Sequence, residues 1–499
     1  MKKILLLIVI IMSSIALFGN WIDVERVFPS EIPTNAFGYS VSVSGDYAVI
    51  GTYNDDTNNG FGSAYIFQKV GDSWIEQEKL IPTDGATDAS FGQSVSISGD
   101  FVVIGAHKDD DNGSESGSAY VFHRVGTNWV EQVKLTAFDG NEDDRFGYTV
   151  SINGDNIVVG AVHDSDIDFF SGSAYIFQRY DTLWLNIQKI SASDVLPFER
   201  FGQSVSISGN YIVVGKPGDD VNGGGSGSAY IFQKVGDLWY EQTKIIPSDG
   251  TQGDAFGTSV SISESDILIG ALGVGVYSPS DYRGAAYIFQ RSGSIWIEQE
   301  KIIPSYSSYN SRFGHSVSIS GDYAVIGAPW DDVYGNQSGS SFIFNRSGNY
   351  WTEEIKLIPS DGATLNEFGR SVSISENNVI IGSPDWYITD GFGSAYIFQN
   401  SVGIEDEQLQ ITNYKLRNSP NPFNPQTTIS FSFNTELTEN TEIQIFNVKG
   451  QLVDNLPLTL SGVEGSVTWN ADKFSSGVYF YKLVNDNKTL VTKKMLLMK

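Results

Sequence analysis

The sequence predicts an all-β protein, a seven-bladed β-propeller followed by a small β-sandwich. A Phe-Gly pair recurs at intervals of 54 to 57 residues, and each repeat contains segments that alternate polar and apolar residues. The last repeat also lacks one strand, which a segment near the N-terminus can supply. The seven pairs begin at Phe37, Phe91, Phe146, Phe201, Phe256, Phe313 and Phe368.

Composition excludes several classes of function. The chain has 499 residues, too many for one ordinary domain, and 40% of them are hydrophobic. A formal net charge of −28 argues against binding to nucleic acid or to anionic lipid, both of which require clustered Lys and Arg. Because cysteine is absent, disulfides, thiol nucleophiles and thiolate metal sites are excluded.

The N-terminus has the pattern of a secretory signal peptide, predicted to span residues 1–19. Lys2 and Lys3 precede a short apolar stretch, and small residues allow cleavage after Ala16 or Gly19. No later stretch approaches the roughly 20 apolar residues that a membrane-spanning helix needs. We therefore expect an exported protein without a transmembrane segment.

Residues 201–215 (FGQSVSISGNYIVVG) are the clearest copy of the first two strands of a repeat, A and B. Alternation through residues 204–208 predicts a strand with one buried face, and Gly209-Asn210 suits a two-residue hairpin turn. The third strand, C, contains Ser-Ala-Tyr-Ile-Phe or a close variant, and the fourth, D, begins with Trp, as at Trp239. These recurring aromatic residues are predicted to form the core between neighbouring blades.

The tryptophans predict how the ring closes. The first six repeats each have a Trp 17 residues before the next Phe-Gly, whereas the seventh ends at Phe398 without one. Residues 21–27 (WIDVERV) resemble residues 296–302 (WIEQEKI), which form a D strand. We therefore predict that the propeller spans residues 21–399 and that its N-terminal strand completes the last blade. An open solenoid, the alternative, would need capping repeats at both ends.

The period is lost after the seventh repeat. Residues 400–413 are polar and acidic and are predicted to be a linker, and a different module occupies residues 414–499. Its prolines at the start exclude a central strand there. Alternating segments predict strands at residues 428–433, 442–447, 466–469 and 477–484, and so many short strands suggest a small β-sandwich.

The repeat array resembles the FG-GAP repeat family, whose relatives include the propeller of integrin α-chains. The matching residues are the Phe-Gly pair of each blade and residues 326–329 (IGAP), the fullest copy of the second motif. In integrin-like relatives the calcium loop lies between strands A and B. Here that connection is a tight turn, so the family's calcium ligands cannot be transferred.

The C-terminal module resembles the type A sorting domain of proteins exported by the type IX secretion system. Four motifs match in order, at residues 418–425 (NSPNPFNP), 448–451 (VKGQ), 476–479 (SGVY) and 493–497 (KKMLL). The resemblance implies that residues 414–499 engage the type IX machinery. It also implies a location that is secreted or at the outer cell surface, after removal of this domain.

Function is expected on the face of the propeller formed by the B–C and D–A loops, because these are the long connections. They are rich in Asp, and calcium binding is one interpretation, since calcium takes roughly six to eight oxygen ligands. The other is that the aspartates form Asx turns and keep the loops solvated. In the most regular loop, Phe169 occupies the place where an EF-hand-like site needs Gly. The calcium candidates are Asp109, Asp110, Asp111, Asp164, Asp166 and Asp168.

Four further loop residues are possible ligand contacts. Trp330 and Trp386 lie in B–C loops and could stack on a sugar or anchor a protein, or could simply cover their own blades. His107 and His163 begin B–C loops and could act as acid, base or metal ligand, or be ordinary solvated residues.

No nucleophile elbow, zinc-protease motif or phosphate loop is present, so no catalytic residue is predicted. The favoured hypothesis is a binding or adhesion protein that recognises an extracellular glycan or protein through its long acidic loop face, with calcium as the one candidate cofactor. The alternative is an extracellular carbohydrate-active enzyme, a lyase or hydrolase, on the same scaffold. A structural surface component without a discrete ligand is the third option.

Overall fold

A computed structural model divides the chain into two compact units, Met1–Gly403 and Ile404–Lys499. The predicted signal peptide, residues 401–413 of the predicted linker, and Trp386 lie outside the described residues. The structure describes residues 21–31, 36–55, 60–71, 73–274, 283–359, 361–385, 393–400, 415–421, 423–432, 441–447, 451–458, 464–485 and 488–499.

The first unit contains seven four-stranded antiparallel sheets, the blades, numbered by their Phe-Gly pairs. In each blade, neighbouring strands pair in the order A, B, C, D. Blades 1 to 3 contain β2 (Ser40–Ser44), β3 (Tyr47–Thr52), β4 (Ser63–Val70) and β5 (Ser73–Leu80); β6 (Ser94–Ser98), β7 (Phe101–Ala106), β8 (Ser118–Val125) and β9 (Asn128–Leu135); and β10 (Phe146–Asn153), β11 (Asn156–Ala161), β12 (Ser173–Tyr180) and β13 (Leu183–Ile190).

Blades 4 to 7 continue the pattern, and the last one takes its D strand from the N-terminus. They contain β14 (Ser204–Ser208), β15 (Tyr211–Lys216), β16 (Ser228–Val235) and β17 (Leu238–Ile245); β18 (Phe256–Ser263), β19 (Asp266–Ala271), β20 (Ala285–Ser292) and β21 (Ile295–Ile302); β22 (Ser316–Ser320), β23 (Tyr323–Ala328), β24 (Ser340–Ser347) and β25 (Tyr350–Leu357); and β26 (Ser371–Ser375), β27 (Asn378–Ser383), β28 (Ser394–Asn400) and β1 (Trp21–Val27).

The predicted ring closure is confirmed. Strand β1 pairs antiparallel with β28, from Trp21 opposite Asn400 to Val27 opposite Ala395. Asn400, which the sequence assigned to the linker, is therefore the last residue of β28. Trp21 packs edge-on against Tyr323 of blade 6, with ring centroids 5.4 Å apart. Trp129, Trp184 and Trp296 make the same contact with the blade before theirs, so β1 fills the same role in blade 7 as the D strands elsewhere.

The core lies between adjacent blades, as the recurring aromatic residues predicted. One buried cluster combines Val49 and Ile66 of blade 1 with Phe91 and Trp129 of blade 2. Phe91 packs edge-on against Tyr120 of its own blade at 5.3 Å between centroids. Each such aromatic side chain buries roughly 150–250 Å² of surface, which makes these clusters the main apolar stabilisation of the ring.

The serines of strand A have a role that alternation alone did not reveal. Ser204 Oγ of blade 4 donates to the carbonyl oxygen of Gly257, the Phe-Gly glycine of blade 5, at 2.8 Å. All seven blades make this bond, with Thr149 in place of the serine in blade 3, and Ser371 closes the circle by donating to Gly38 at 3.0 Å. The next serine, Ser206, accepts from the backbone N–H of Ile262 in the following blade at 3.1 Å. The polar side of strand A therefore bonds neighbouring blades together.

Glycines make this close approach possible. A Cβ atom added to Gly382 of blade 7 would overlap the carbonyl oxygen of Gly38 in blade 1, and the equivalent strand-B glycine of every other blade meets the same obstacle. Gly38 itself has φ of +90°, a region that L residues rarely adopt. Both glycines of the repeat are therefore required by geometry at the contact between blades.

The second unit is a two-layered β-structure, in agreement with the predicted sandwich. One sheet has the order β29-β30-β33 and the other β32-β31-β34-β35. Ile429 and Trp469 of the first sheet share a buried core with Ile443 and Leu483 of the second. Its strands are β29 (Lys415–Ser419), β30 (Gln426–Ser432), β31 (Thr441–Asn447), β32 (Leu452–Pro457), β33 (Glu464–Asn470), β34 (Gly477–Asn485) and β35 (Lys488–Leu497).

The four strands predicted in this unit are present within a few residues, whereas β29, β32 and β35 were not predicted. Strand β35 includes the tail motif, whose lysines gave no clear alternation. Among the residues that the structure describes, none forms a helix with the length and apolar character needed to cross a bilayer.

The contact between blades generates a stability prediction. Gly382→Ala places a methyl group against the backbone of Gly38, which cannot move away cheaply, so we expect a loss of about 3 kcal/mol in the free energy of unfolding. Urea unfolding of the mature protein, followed by tryptophan fluorescence, measures it. The control is Gly45→Asn at an A–B turn, where a Cβ meets no atom within 4 Å. It should cost no more than about 1 kcal/mol, and equal losses for the two variants would contradict the close-approach explanation.

Candidate ligand-binding site

The long connections gather on one face of the propeller, here called the loop face. In blade 4 the A–B connection is the two-residue turn at Gly209 and Asn210, and the C–D connection is equally short. The B–C connection spans residues 217–227, and residues 246–255 lead from this blade to the next. The loop face is therefore the side where side chains can vary without disturbing the sheets.

The predicted calcium candidates in blade 3 surround a lysine. Lys189 Nζ lies 2.7 Å from Asp164 Oδ2, 2.5 Å from Asp166 and 2.9 Å from Asp139. Asp164 is buried and also accepts hydrogen bonds from Ser173 Oγ at 2.6 Å and from the Tyr175 hydroxyl at 3.0 Å. A positive charge of the protein thus lies among these carboxylates.

Blade 2 repeats the arrangement around Lys134. Its Nζ lies 2.8 Å from Asp109 and 2.6 Å from Asp111, and Asp84 completes the set at 2.9 Å. The two remaining candidates bond to nearby backbone. Asp110 accepts from the N–H of Glu115 and Asp168 accepts from the N–H of Phe169, both at 2.8 Å.

Electrostatics reflect these pairings. Burial lowers the pKa of Lys189, but hydrogen bonds to Asp164, Asp166 and Asp139 outweigh it, and the net pKa lies above the ordinary value. Burial and the charge of Asp164 raise the pKa of Tyr175, which stays protonated. Within the described ranges no group of three or more His, Asp or Glu side chains could hold a metal ion. Calcium binding at these aspartates therefore stays a prediction.

An aromatic cluster interrupts the loop face between blades 3 and 4. Phe169 and Phe170 of one B–C loop stack at 4.1 Å between centroids, and His163 stacks on the other side of Phe170 at 4.2 Å. Phe198 of the following D–A loop packs edge-on against Phe169 at 5.2 Å. The exposed fractions of Phe169 and Phe198 are 53% and 60%. We call Phe169, Phe170 and Phe198 the phenylalanine cluster.

The axial channel opens near this cluster. A cavity of about 320 Å³ lies along the axis and is lined by strand A residues of all seven blades. The residue after each Phe-Gly pair surrounds its opening on the loop face, here called the channel mouth, and this position varies although the next two residues are nearly constant. The seven residues are Tyr39, Gln93, Tyr148, Gln203, Thr258, His315 and Arg370.

The other predicted contacts lie around the same opening. His107 is buried and packs edge-on against Tyr148 at 5.5 Å, and burial lowers its pKa to about 3, so it is neutral. The Arg312 guanidinium lies 3.1 Å from the Trp330 ring centroid, and Trp330 Nε1 donates to Glu367 at 3.2 Å. Trp330 therefore contacts the residues that directly precede the Phe-Gly pairs of blades 6 and 7.

Comparison with known families agrees with the repeats. The family model described as the FG-GAP repeat matches residues 21–67, 74–122, 129–177, 184–232, 239–289, 296–344 and 351–398, more than half of the chain. The chain belongs to the FG-GAP repeat family. In this FG-GAP propeller the glycine of each Phe-Gly pair and the strand-B glycine are the two that meet between blades, which explains why both recur.

A second family model, the secretion system C-terminal sorting domain, matches residues 419–498. The FG-GAP protein is thus secreted through a type IX sorting signal and delivered to the outer cell surface, as the four motifs implied. The sorting domain implies interaction with the type IX machinery.

A structural match is to Pyrococcus horikoshii acylaminoacyl peptidase (orthorhombic crystal form), with 9% identity and a TM-score of 0.43. The match covers 81% of this chain, which spans 58% of the length of that protein. Similarity at this level supports no inference about the FG-GAP protein.

The lysine–carboxylate clusters predict a defined effect of mutation. Lys189→Met leaves the buried Asp164 without its cation, and we expect a loss of about 3 kcal/mol in the free energy of unfolding. The matched control is Lys301→Met in blade 5, because Lys301 pairs with the more exposed Asp249. It should cost about 1 kcal/mol or less. Thermal unfolding of both variants checks this.

Repeating the melts with calcium separates the two interpretations of the aspartates. If lysine replaces the metal, calcium stabilises Lys189→Met and leaves the wild-type protein unchanged. Stabilisation of the wild-type protein that is lost on substituting Asp164 or Asp166 would instead support the calcium prediction.

Asp144 predicts a pH dependence of stability. Burial and the charges of Asp164 and Asp166 raise its pKa from 3.8 to about 6, although its carboxylate accepts from the N–H of Asn141. The folded state therefore favours the protonated carboxyl. The contribution of protonated Asp144 to the free energy of unfolding is fully present below about pH 4 and is lost as the pH rises through about 6.

Asp144→Asn removes that titration and keeps the hydrogen bond, since Asn366 at the equivalent position of blade 7 accepts from the N–H of Ala363 at 2.7 Å. We expect the variant to be more stable than wild type by about 2 kcal/mol at pH 7.5 and equally stable at pH 4. Urea unfolding across this range measures the difference, and a difference that does not change with pH would refute the assignment.

Proposed function

We propose that the protein is an extracellular binding protein that recognises a glycan or another protein through the loop face of blades 3 and 4. The observation that supports this proposal is the phenylalanine cluster. Exposed, rigid aromatic side chains on loops that a rigid scaffold positions are typical of ligand contacts. Delivery to the outer cell surface places this face in contact with extracellular material.

The cluster has a backbone cost that blade 7 shares, with Leu365 at φ of +69°, and that blades 2, 3, 5 and 6 reduce by placing Asp, Gly or Asn at the same position. Phe198 has φ of +64°, and Gly253 and Asn310 occupy the equivalent position in blades 5 and 6. The backbone frame is the same, because the N–H of Phe198 donates to the carbonyl oxygen of Phe169 as that of Gly253 does to Gly224. Phenylalanine is disfavoured in this conformation, and such strain is concentrated at functional sites.

Phe side chains usually stabilise a fold by being buried, and the exposed rings of this cluster provide little of that stabilisation. Fully burying such a side chain contributes roughly 1.5–3 kcal/mol, but more than half of Phe169 and Phe198 remains accessible. A ligand that covers the rings recovers this free energy, and the exposed rings of Phe169 and Phe198 suit a sugar ring or an apolar side chain.

A carbohydrate-active enzyme is the second candidate, and Tyr148 is the observation in its favour. The hydroxyl-bearing ring lies at the channel mouth near Arg145, Arg200 and Arg370, a setting in which a phenol could transfer a proton to a bound sugar. Burial raises the pKa of Tyr148, which disfavours the anionic form that a base requires. We therefore favour binding without turnover.

The test replaces the cluster with residues that other blades have at the same positions. Phe169→Ser together with Phe198→Asn copies Ser114 and Asn310, so folding should be retained and the strain at residue 198 reduced. We expect binding to arrays of extracellular glycans and proteins to fall at least about tenfold, the loss of two anchors. Leu365→Asn, the same position in blade 7, is the control and should bind like wild type.

Unchanged binding by the double variant would refute the assignment of the site. Release of shorter products from a glycan by the wild-type protein would favour the enzyme.

A further inference from the structure

The channel mouth is cationic although the chain as a whole is strongly acidic. Arg370 is one of the seven residues that surround it, and Arg145, Arg200 and Arg312 each directly precede a Phe-Gly pair. Three of them, Arg145, Arg200 and Arg370, are close enough to act on the hydroxyl of Tyr148. Arg370 and Arg200 thus line the mouth and the adjoining cavity, and Arg145 and Arg312 lie three residues before Tyr148 and His315 of the mouth.

Carboxylates compensate these charges only in part. Arg145 pairs with Glu115 at 2.8 Å and with Asp143 at 3.0 Å, and Arg370 pairs with Glu367 at 3.2 Å. Arg200 is exposed, and none of the ion pairs between described residues involves it.

Positive charges act on two histidines, His315 at the mouth and His163 beside Phe170. Burial and the charges of Arg370 and Arg312 lower the pKa of His315, and burial together with Arg145 and Arg200 lowers the pKa of His163. His315 Nδ1 also has no hydrogen-bond partner among the described residues, although it is shielded from solvent. The mouth thus combines excess positive charge with an unsatisfied polar atom.

A groove connects the mouth to the phenylalanine cluster. It has a volume of about 310 Å³, and Phe198 and Arg200 line its outer end. Gln203 and Thr258 line both this groove and the channel mouth. A ligand that rests on Phe198 can therefore extend past Arg200 to the axis without leaving a continuous depression.

We propose that this groove and mouth bind an acidic glycan, with a sugar ring on the phenylalanine cluster and its carboxylate or sulfate group at Arg200 and the mouth arginines. The proposal rests on the proposed function and names its ligand class. Guanidinium groups recognise carboxylates and sulfates through paired hydrogen bonds. The amide, hydroxyl and phenol groups of Gln203, Thr258 and Tyr148 match the hydroxyls of a sugar.

An acidic peptide is the less favoured ligand. Peptide recognition commonly uses an exposed sheet edge or an apolar groove that takes alternate side chains. The mouth offers neither, since its walls are strand A residues that already bond to neighbouring blades, and polar groups dominate its opening.

The experiment is calorimetric titration of the mature protein with four probes. These are a short oligogalacturonate for carboxylate, a sulfated galactan for sulfate, the unsulfated galactan as neutral control, and polyglutamate as acidic peptide. We expect saturable binding of one or both acidic glycans, weakened by salt because the interaction is ionic. Arg200→Ser should weaken it about tenfold, and Arg200→Lys should restore part of the loss.

A second arginine of the mouth and an arginine on the opposite face provide a further test and a control. Arg370→Gln should weaken binding by a similar factor, whereas Arg179→Gln should have no effect, because Arg179 pairs with Asp155 at an A–B turn on the opposite face. Since Arg200 is exposed, its substitution does not threaten folding.

Three results of these titrations would contradict the proposed ligand class. Binding of the neutral galactan that depends on Phe169 and Phe198 but not on Arg200 would overturn this inference and leave the proposed function standing. Tighter binding of polyglutamate than of either acidic glycan would assign the site to acidic proteins instead. Absence of saturable binding to both acidic glycans would overturn the inference outright.

Discussion

The structure depends on one contact, repeated seven times, in which a strand-B glycine of one blade lies against the Phe-Gly carbonyl of the next. A strand-A hydroxyl, from serine in six blades and from Thr149 in blade 3, donates to the same carbonyl oxygen, at 2.8 to 3.0 Å throughout the ring. Any side chain at the glycine would separate the blades, and loss of the hydroxyl would leave a carbonyl without its partner. Two glycines and a hydroxyl residue therefore recur together because they form a single joint, and the aromatic clusters fill the space outside it.

The same repetition explains where function can reside. Lysines of strand D, aspartates of the B–C loops and tyrosines of strand C form clusters that stabilise the loop ends of successive blades, as around Lys134 and Lys189. These residues hold the scaffold. Departures from the pattern on the loop face and at the channel mouth include Phe169, Phe198, Arg200 and Arg370. A ligand site built from such departures leaves the joint between blades intact.

The sequence predicted the architecture well, because the repeat period, the spacing of the aromatic residues and the strand-D pattern that begins at Trp21 can all be read along the chain. The use of the serines was not predictable from alternation, which shows that Ser204 and Ser206 share a face but not that another blade covers it. Acidic spacing suggested calcium at Asp164 and Asp166, whereas Lys189 reaches them from strand D, the second strand after their loop. Phe169 and Phe198 stand 29 positions apart, and their contact follows from two loops meeting at the same edge of the ring.

Closure of the ring by the N-terminal strand is the central claim, and hydrogen–deuterium exchange of the mature protein tests it most directly. Amide protons of β1 that donate to β28 should exchange as slowly as those that join strand D to strand C in the six other blades, because the pairing and the flanking Ser371–Gly38 bond are equivalent. Exchange of β1 at the rate of an unpaired terminus, with the other D strands protected, would contradict the closed ring.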